Sequence, residues 1–531
     1  MNQTPPKRRS VAVSTFLVMA ASGLSALLGF GREIVTAHYY GTRPEMDAFL
    51  NASTFPAIIF DVINGALIAA LIPMFSEYIS LGRDDEVRRL GSTVINALFF
   101  VMTGLAAFGW LLAPVYVPVI AHGFPPAEQH LVVVMVRWLM PGIVATTIGG
   151  ACAALLNANH RFLPSALVWV AANVVTIGLV VALHRQLGIF ALVLGSVLGL
   201  FAQLLVQVPS VLRHGLYRFE LDLRHPGLAK IWVLLLPVAV GSGAGQINLA
   251  FDRYFASTLS AGSTAGLGYT TKLTFLPILI VATAISTVIF PLVAGQFANS
   301  DRAGILRSLS LAFRMVSFIV IPCAAALSVI AYPIVQTLFE RGAFGPASTA
   351  LCASLVPFAC LPLIMNSYNI VLARICYACK AVRWAAVGSI FTVVLNIVLS
   401  ATLLPTLGAR GLLLANGVAE LALMAFQMAL LRRLIGGFDW KPLLSSLLRI
   451  SLGSATMAGV LFAVAAGYLP AATFAAHVCY LIALLVIGAA SFLGIARAIG
   501  IEELAIVFQT LSQKFGRDTV TAPESAGRPI A

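Results

Sequence analysis

The chain has 531 residues, of which 60% are hydrophobic and only 10% charged, with a mean hydropathy of +0.96. A soluble protein keeps roughly a quarter of its residues charged, so most of this surface does not face water. The net charge of +13 does not mark a nucleic-acid binder, because the basic residues sit in short loops between apolar stretches rather than on one face or tail. The apolar stretches also lack the dyad alternation of an outer-membrane barrel.

A helix needs about 20 apolar residues to cross the hydrocarbon core. The sequence predicts about 14 such spans, at approximately 10–39, 46–78, 84–114, 129–157, 164–184, 188–212, 227–257, 263–295, 305–331, 347–373, 384–405, 409–431, 447–467 and 474–496. The fold class is therefore an all-α polytopic membrane protein. Lys7, Arg8 and Arg9 precede the first stretch. That stretch is longer than a signal-peptide core and lacks a cleavage site, so it reads as the first span. The first, second, seventh and eighth stretches exceed a simple crossing, which predicts tilts, kinks or extensions beyond the bilayer.

Every second gap between spans is basic. The second carries Arg83, Arg88 and Arg89, the fourth Arg161, and the sixth Arg213, Arg218, Arg224 and Lys230. The eighth carries Arg302 and Arg307, the tenth Arg374, Lys380 and Arg383, and the twelfth Arg432, Arg433 and Lys441. Arg497, Lys514 and Arg517 follow the last span. The odd gaps hold single arginines (Arg43, Arg185, Arg341, Arg410) or none. Positive loops stay cytoplasmic, so an even number of spans with both termini cytoplasmic is expected.

The long basic loop Arg213–Lys230 separates two sets of six spans. Span two reads T-F-P-A-I-I at Thr54–Ile59 and L-I-P-M-F at Leu71–Phe75; span eight reads F-L-P-I-L-I at Phe275–Ile280 and V-I-F-P-L at Val288–Leu292. Six spans per half give both halves the same orientation, related by a pseudo-twofold along the membrane normal. The expected organisation is 1–222 as an N-lobe, 223–437 as a C-lobe, 438–498 as an additional helix pair and 499–531 as a cytoplasmic tail. The tail starts amphipathic (Ile501–Phe515), then turns polar and rich in Pro and Gly, as in disordered segments. Paired prolines in spans two and eight suggest hinges.

Ionisable groups at bilayer depth cost roughly 2.5–3.5 kcal/mol each on insertion scales. Those present are Arg32, Glu33, Asp47, Asp61, Arg137, Asp252, Arg253, Lys272, Arg314 and Glu420. Arg32, Glu33, Asp47, Asp252, Arg253 and Lys272 come from the first two spans of each half and form the candidate substrate-binding set. Arginine offers a planar fork and lysine a point charge, a pairing suited to phosphate or pyrophosphate. Arg32–Glu33 and Asp252–Arg253 also read as local ion pairs or snorkelling anchors. Asp61, Arg137, Arg314 and Glu420 read as structural.

The seven cysteines lie mostly in apolar segments, where a thiol packs as a small hydrophobe. Cys376 and Cys379 form a lone C-x-x-C without the further ligands a structural zinc site needs. The histidines are scattered, and no phosphate-binding loop is present. No catalytic residue, metal or cofactor is therefore expected, and energy would come from the membrane potential or a monovalent cation gradient, or from the substrate's own metabolism.

Five segments carry a family resemblance: L-L-G-F-G-R-E at Leu27–Glu33, M-D-A-F at Met46–Phe49, L-N-A-N-H-R-F at Leu156–Phe162, F-A-S-T-L-S-A-G-S at Phe255–Ser263 and T-L-F-E-R-G-A-F at Thr337–Phe344. In this order the chain resembles the lipid II flippases (MurJ/MviN) of the multidrug/oligosaccharidyl-lipid/polysaccharide exporter superfamily. The resemblance implies 14 helices in two lobes and a groove on the last pair for a polyprenyl tail. It further implies a cationic cavity for a pyrophosphate-sugar headgroup, and alternating access in the bacterial inner membrane for cell-wall synthesis. It places Arg32 on the family's first-span arginine, Glu33 on the acidic residue after it, Asp47 on the acidic residue opening span two and Lys272 on a cavity arginine of span eight. The implied partners are a polyprenyl-pyrophosphate-linked saccharide, membrane lipids and cell-wall synthesis proteins.

The chain departs from the family pattern where Ala26, Ile59 and Phe60 replace arginines and Thr271 replaces an acidic residue. A less cationic cavity keeps open a paralogue that moves another polyprenyl-pyrophosphate glycan, such as an exopolysaccharide or O-antigen unit. A cation-coupled drug exporter and a non-transporting scaffold are the remaining readings.

Overall fold

The computed structural model describes residues 8–222, 224–437, 440–467 and 473–506. Lys7 and the predicted tail beyond residue 506 lie outside them, and so does most of the last odd gap. All regular elements among the described residues are helical. The first six predicted spans are α1 (Arg8–Tyr40), α2 (Pro44–Ser80), α3 (Asp84–Ile120), α4 (Pro126–Leu139) with α5 (Pro141–Ala158), the short α6 (Phe162–Ala166) leading into α7 (Val168–Leu187), and α8 (Phe190–Arg213). Then come α9 (Pro226–Ser257), α10 (Ser263–Pro277), a π-helical turn at Ile278–Ala282, α11 (Thr283–Ala298) and α12 (Arg302–Val329). The chain continues through α13 (Ala331–Phe339), α14 (Pro346–Ala378), α15 (Val382–Leu407), α16 (Ala409–Ile435), α17 (Trp440–Ala466) and α18 (Phe474–Ile499).

Among the described residues, twelve helical segments are long and apolar enough to cross a membrane. The other two predicted spans are occupied by α9 and by the interrupted α10–α11 stretch. The protein is thus an all-helical, multi-pass membrane protein.

The structure refines the predicted elements where proline acts. Span three was expected to end at Pro114, yet α3 continues through Pro114 and Pro118 to Ile120. A proline removes one hydrogen bond, and a long membrane helix tolerates that loss. Span four divides at Met140–Pro141, where Pro141 begins the second piece at the helix position that needs no N–H donor. Span eight is broken by the π-turn directly after Pro277. Its counterpart α2 runs unbroken through Pro56 and Pro73. The ninth gap contains a helix the hydropathy pattern did not announce, α13.

The chain forms two compact units. The first comprises Met1–Thr274, Tyr332–Pro362 and Arg383–Leu423. Its main core joins α2, α3 and α5 through Leu71, Phe75, Leu90 and Leu155, each no more than 1% exposed. Burying such side chains contributes about 1.5–3 kcal/mol each. A second cluster joins α9, α10, α14 and α16 through Ala256, Leu267, Leu355 and Leu412. The second unit comprises Phe275–Ala331, Leu363–Val382 and Met424–Ala531. In it α12 packs on α17, and α17 on α18. Asp301 caps α12 by accepting the Gly304 N–H at 2.8 Å, and Gly500 ends α18 in the left-handed conformation that favours glycine.

Candidate substrate-binding site

The first unit brings together three of the six predicted site residues. Glu33, late on α1, is 7% exposed. Its Oε1 accepts a hydrogen bond from Arg32 Nη2 at 2.9 Å and is also paired with Lys272 Nζ of α10. Arg32 and Lys272 themselves stay open, with side chains 34% and 43% exposed. One buried carboxylate therefore holds two cations whose outer faces are free. Such a group can bind a dianion without first breaking its own ion pairs, because each cation has further N–H donors to give.

One turn before Lys272, Tyr269 is buried and anchors the helix. Its ring packs against Phe339 and Phe344 at 5.4 Å each, and its hydroxyl donates to Gly41 O. Phe339 in turn lies 6.2 Å from Phe30 of α1. The aromatic set links the two helices that carry the cations.

Asp47 lies apart from that trio. It is 2% exposed, and both carboxylate oxygens are engaged: Oδ2 accepts the Gly262 N–H at 2.5 Å and Oδ1 the Ala265 N–H at 2.7 Å. It thus satisfies orphan donors at the start of α10 and sets a negative charge against the helix N-terminus. Neighbouring contacts close the same end. Thr42 Oγ1 and Ser348 Oγ are 2.7 Å apart, the Ala343 N–H donates to His38 O at 2.7 Å, and the Gly123 N–H donates to Ser257 Oγ at 3.1 Å. Gly342, with φ of +58°, abuts His38 so closely that a Cβ has no room. Phe255–Ser263 and Thr337–Phe344, two of the five resemblance segments, are therefore the loops that meet here.

Asp252, on α9, turns to amides rather than to Arg253. Asn396 Nδ2 donates to Oδ1 at 3.1 Å and Asn416 Nδ2 to Oδ2 at 3.0 Å, with Asn248 Nδ2 at 3.4 Å from Oδ2. Asn396 Nδ2 also donates to Asn248 Oδ1 at 2.7 Å. Arg253 Nε is buried without a hydrogen-bond partner among the described residues. Its field reaches Lys272 and Asp47 as well as Asp252. The Asp252 carboxylate is thus held by amide N–H donors from three asparagines. No group of three His, Cys, Asp or Glu residues poised for a metal occurs among the described residues.

Asn248, Asn396 and Asn416 do not stand out in the sequence. Their only signal was a single amide in an otherwise apolar run, as in V-V-L-N-I-V-L around Asn396. At the positions that depart from the family arginines, Phe60 sits 6.4 Å edge-on to Trp169, and the following Asp61 accepts from Gln246 Nε2 at 3.1 Å. Arg137 lies over the Trp110 ring at 4.6 Å and donates to Trp110 O. In the second unit Arg314 pairs with Glu502 at 2.6 Å and with Glu503, whose carboxylate also accepts from Ser446 Oγ at 2.7 Å.

Comparison with known proteins gives a consistent result. The sequence profile described as lipid II flippase MurJ matches residues 36–487. A protein of Rhizobium meliloti named as a probable lipid II flippase MurJ is 31% identical over 95% of this chain and 97% of its own length. One of Burkholderia cenocepacia named lipid II flippase MurJ is 25% identical over 74% of this chain and 78% of its own. Among solved structures, a lipid II flippase MurJ in an inward closed conformation superposes with a TM-score of 0.79 at 22% identity, covering 92% of this chain and all of that one. An inward-facing multidrug resistance MATE transporter shares the fold with a TM-score of 0.65 at 14% identity, over 79% of this chain and 98% of that one. A profile spanning most of the sequence and a full-length relative above 30% identity place the chain in one family: it belongs to the lipid II flippases, MurJ.

Proposed function

We propose that this chain translocates lipid-linked peptidoglycan precursor from the cytoplasmic to the periplasmic leaflet of the bacterial inner membrane by alternating access. The observation that carries this is the Glu33 carboxylate holding Arg32 and Lys272 with their outer faces open. The two cations suit the paired charges of a pyrophosphate. In this reading Arg32 and Lys272 contact the headgroup and Glu33 positions them. Asp47 fixes the end of α10, and Arg253 adds positive field beside Lys272.

The relatives named as lipid II flippases favour the peptidoglycan precursor over another polyprenyl-pyrophosphate glycan, despite Ala26, Ile59 and Phe60. The basic even gaps support both termini in the cytoplasm. The lobes 1–222 and 223–437 would rock about the site, with the pair 438–498 guiding the polyprenyl tail. Asp252 and its asparagines are the natural seat for a coupling monovalent cation, alongside the membrane potential as a drive. Cell-wall synthesis proteins are the expected partners that consume the product.

The test is replacement of the resident flippase in a depletion strain. The chain restores growth and cell shape, and Arg32→Ala abolishes that rescue at unchanged protein level. Stable expression without rescue would overturn the peptidoglycan assignment, and full rescue by Arg32→Ala would overturn the site.

A further inference from the structure

The loop between α8 and α9 carries an inverted pattern. Residues 217–222 form an irregular strap along the start of α3, to which Tyr217, Glu220 and Asp222 turn their polar groups. Tyr217 OH donates to Asn96 Oδ1 at 2.8 Å, and Asn96 Nδ2 donates to Glu220 O at 2.8 Å. Arg89 pairs with both Glu220 at 3.1 Å and Asp222 at 3.0 Å. The Arg218 and Asp222 N–H groups donate to Ser92 Oγ and Thr93 Oγ1. From 219 to 222 the side chains alternate: Glu220 and Asp222 turn to Arg89, while Phe219, 77% exposed, and Leu221, 44% exposed, face out. Facing water, this period-two arrangement would be inside out.

The strap's depth explains the inversion. It crosses α3 at Arg89–Asn96. On one side of it lies the charged first turn, Asp84, Asp85 and Glu86. On the other, the exposed apolar belt of α3 begins at Phe99, Phe100 and Val101, three residues or about 4.5 Å beyond Asn96. The strap therefore lies at the boundary between headgroups and acyl chains. Arg213, Arg218 and Arg224 flank the outward residues and are exposed, and their guanidinium groups form no ion pair with a carboxylate among the described residues. Arg89, by contrast, is consumed by the strap itself.

We propose that this strap is an anionic-phospholipid binding site: Phe219 and Leu221 insert at the acyl boundary while Arg213, Arg218 and Arg224 hold lipid phosphates. Apolar insertion and basic flanks reinforce each other at a charged interface. The site ties the connection between the two six-helix sets to the membrane surface, which under the proposed orientation is the cytoplasmic leaflet. It is separate from the Arg32–Lys272 site.

The experiment places the photoreactive p-benzoylphenylalanine at position 219 of the full chain, and at Asp85 as a water-facing control whose side chain is 91% exposed. The protein is reconstituted in vesicles of phosphatidylethanolamine with phosphatidylglycerol, irradiated, and its adducts are identified by mass spectrometry. Position 219 yields phospholipid adducts, enriched about tenfold in phosphatidylglycerol over its share of the vesicle, and position 85 yields none. The enrichment disappears in a triple Arg213→Gln, Arg218→Gln, Arg224→Gln variant, while the lipid adduct itself persists. The same photoprobe in whole membranes reports the alternative occupant. Adducts mainly with a protein, no adduct at 219, or phosphatidylglycerol enrichment unchanged in the triple variant would each overturn the proposal. None of these outcomes depends on which glycan is transported.

Discussion

Asp47 of α2 and Gly262, just before α10, are joined by a 2.5 Å hydrogen bond from the glycine N–H to the aspartate Oδ2. The bond spans two helices far apart in sequence, and a second, from the Ala265 N–H, occupies the other oxygen. Asp47→Ala leaves two buried donors unsatisfied and removes a charge from the helix N-terminus. The expected loss is about 1–3 kcal/mol of stability. Asp47→Asn keeps one acceptor oxygen and loses less. Thermal denaturation of the purified proteins in one detergent gives the order wild type, Asn, Ala; equal midpoints for all three would refute the capping role.

The Glu33 site makes a different prediction. Glu33→Gln leaves Arg32 and Lys272 adjacent without the carboxylate between them, so they repel and splay. Charge-assisted hydrogen bonds contribute roughly 1.5–3 kcal/mol, so headgroup affinity is expected to fall about 10- to 100-fold. Lys272→Arg preserves the charge and is expected to retain headgroup binding, whereas Lys272→Gln is not. Titration of each variant with a soluble pyrophosphate-containing headgroup analogue checks both statements. Glu33→Gln binding as tightly as wild type would show that the carboxylate does not organise the cations.

How much of this was visible in the sequence follows from the range of the forces involved. Hydropathy is a local property, so the spans and the basic loops could be read directly, including the positions of α9 and α10–α11. Arg32, Glu33 and Lys272 stood out because a charge at bilayer depth is costly wherever it lies. The capping role of Asp47 did not, because its partners are backbone N–H groups, which every sequence possesses. Asn248, Asn396 and Asn416 were silent because one amide in an apolar helix carries little free-energy signature until a carboxylate is packed against it. Arg314 reads as structural from the sequence, but its partner Glu503 lies far along the chain and cannot be matched to it without the fold. The paired prolines suggest hinges in both spans, yet a π-turn follows Pro277 while α2 runs unbroken through its own prolines, so proline alone does not decide where the helix departs from regularity.

Gly342 gives a steric test. Its φ of +58° already disfavours a side chain, and a Cβ would collide with His38. Gly82 has a φ of +69° but open space around it. Gly82→Ala is therefore expected to lose only the left-handed penalty of about 1–2 kcal/mol. Gly342→Ala adds displacement of the loop from α1 and is expected to fail in the depletion strain at reduced protein level. Equal rescue by the two variants would mean that the α13–α14 loop is free to move away from α1.

The Arg314 cluster separates a buried from an exposed carboxylate on one arginine. The Glu503 side chain is 1% exposed and that of Glu502 69%, while Arg314 is 16% exposed. Glu503→Ala leaves the guanidinium largely buried with its best partner gone, at an expected loss of about 3–5 kcal/mol. Glu502→Ala removes a solvent-screened contact, with an expected loss of no more than about 1 kcal/mol. The hydrogen bond from Arg314 holds the Glu502 carboxyl below its ordinary value of 4.5. A lowered folded-state value means that this small contribution is complete above that ordinary value and is lost as the pH falls through the folded one. Denaturation midpoints measured at neutral pH should therefore drop strongly for Glu503→Ala and little for Glu502→Ala. The small gap between wild type and Glu502→Ala should close further in acid. A Glu502→Ala loss as large as that of Glu503→Ala would place the strength of the cluster at the exposed carboxylate and contradict this assignment.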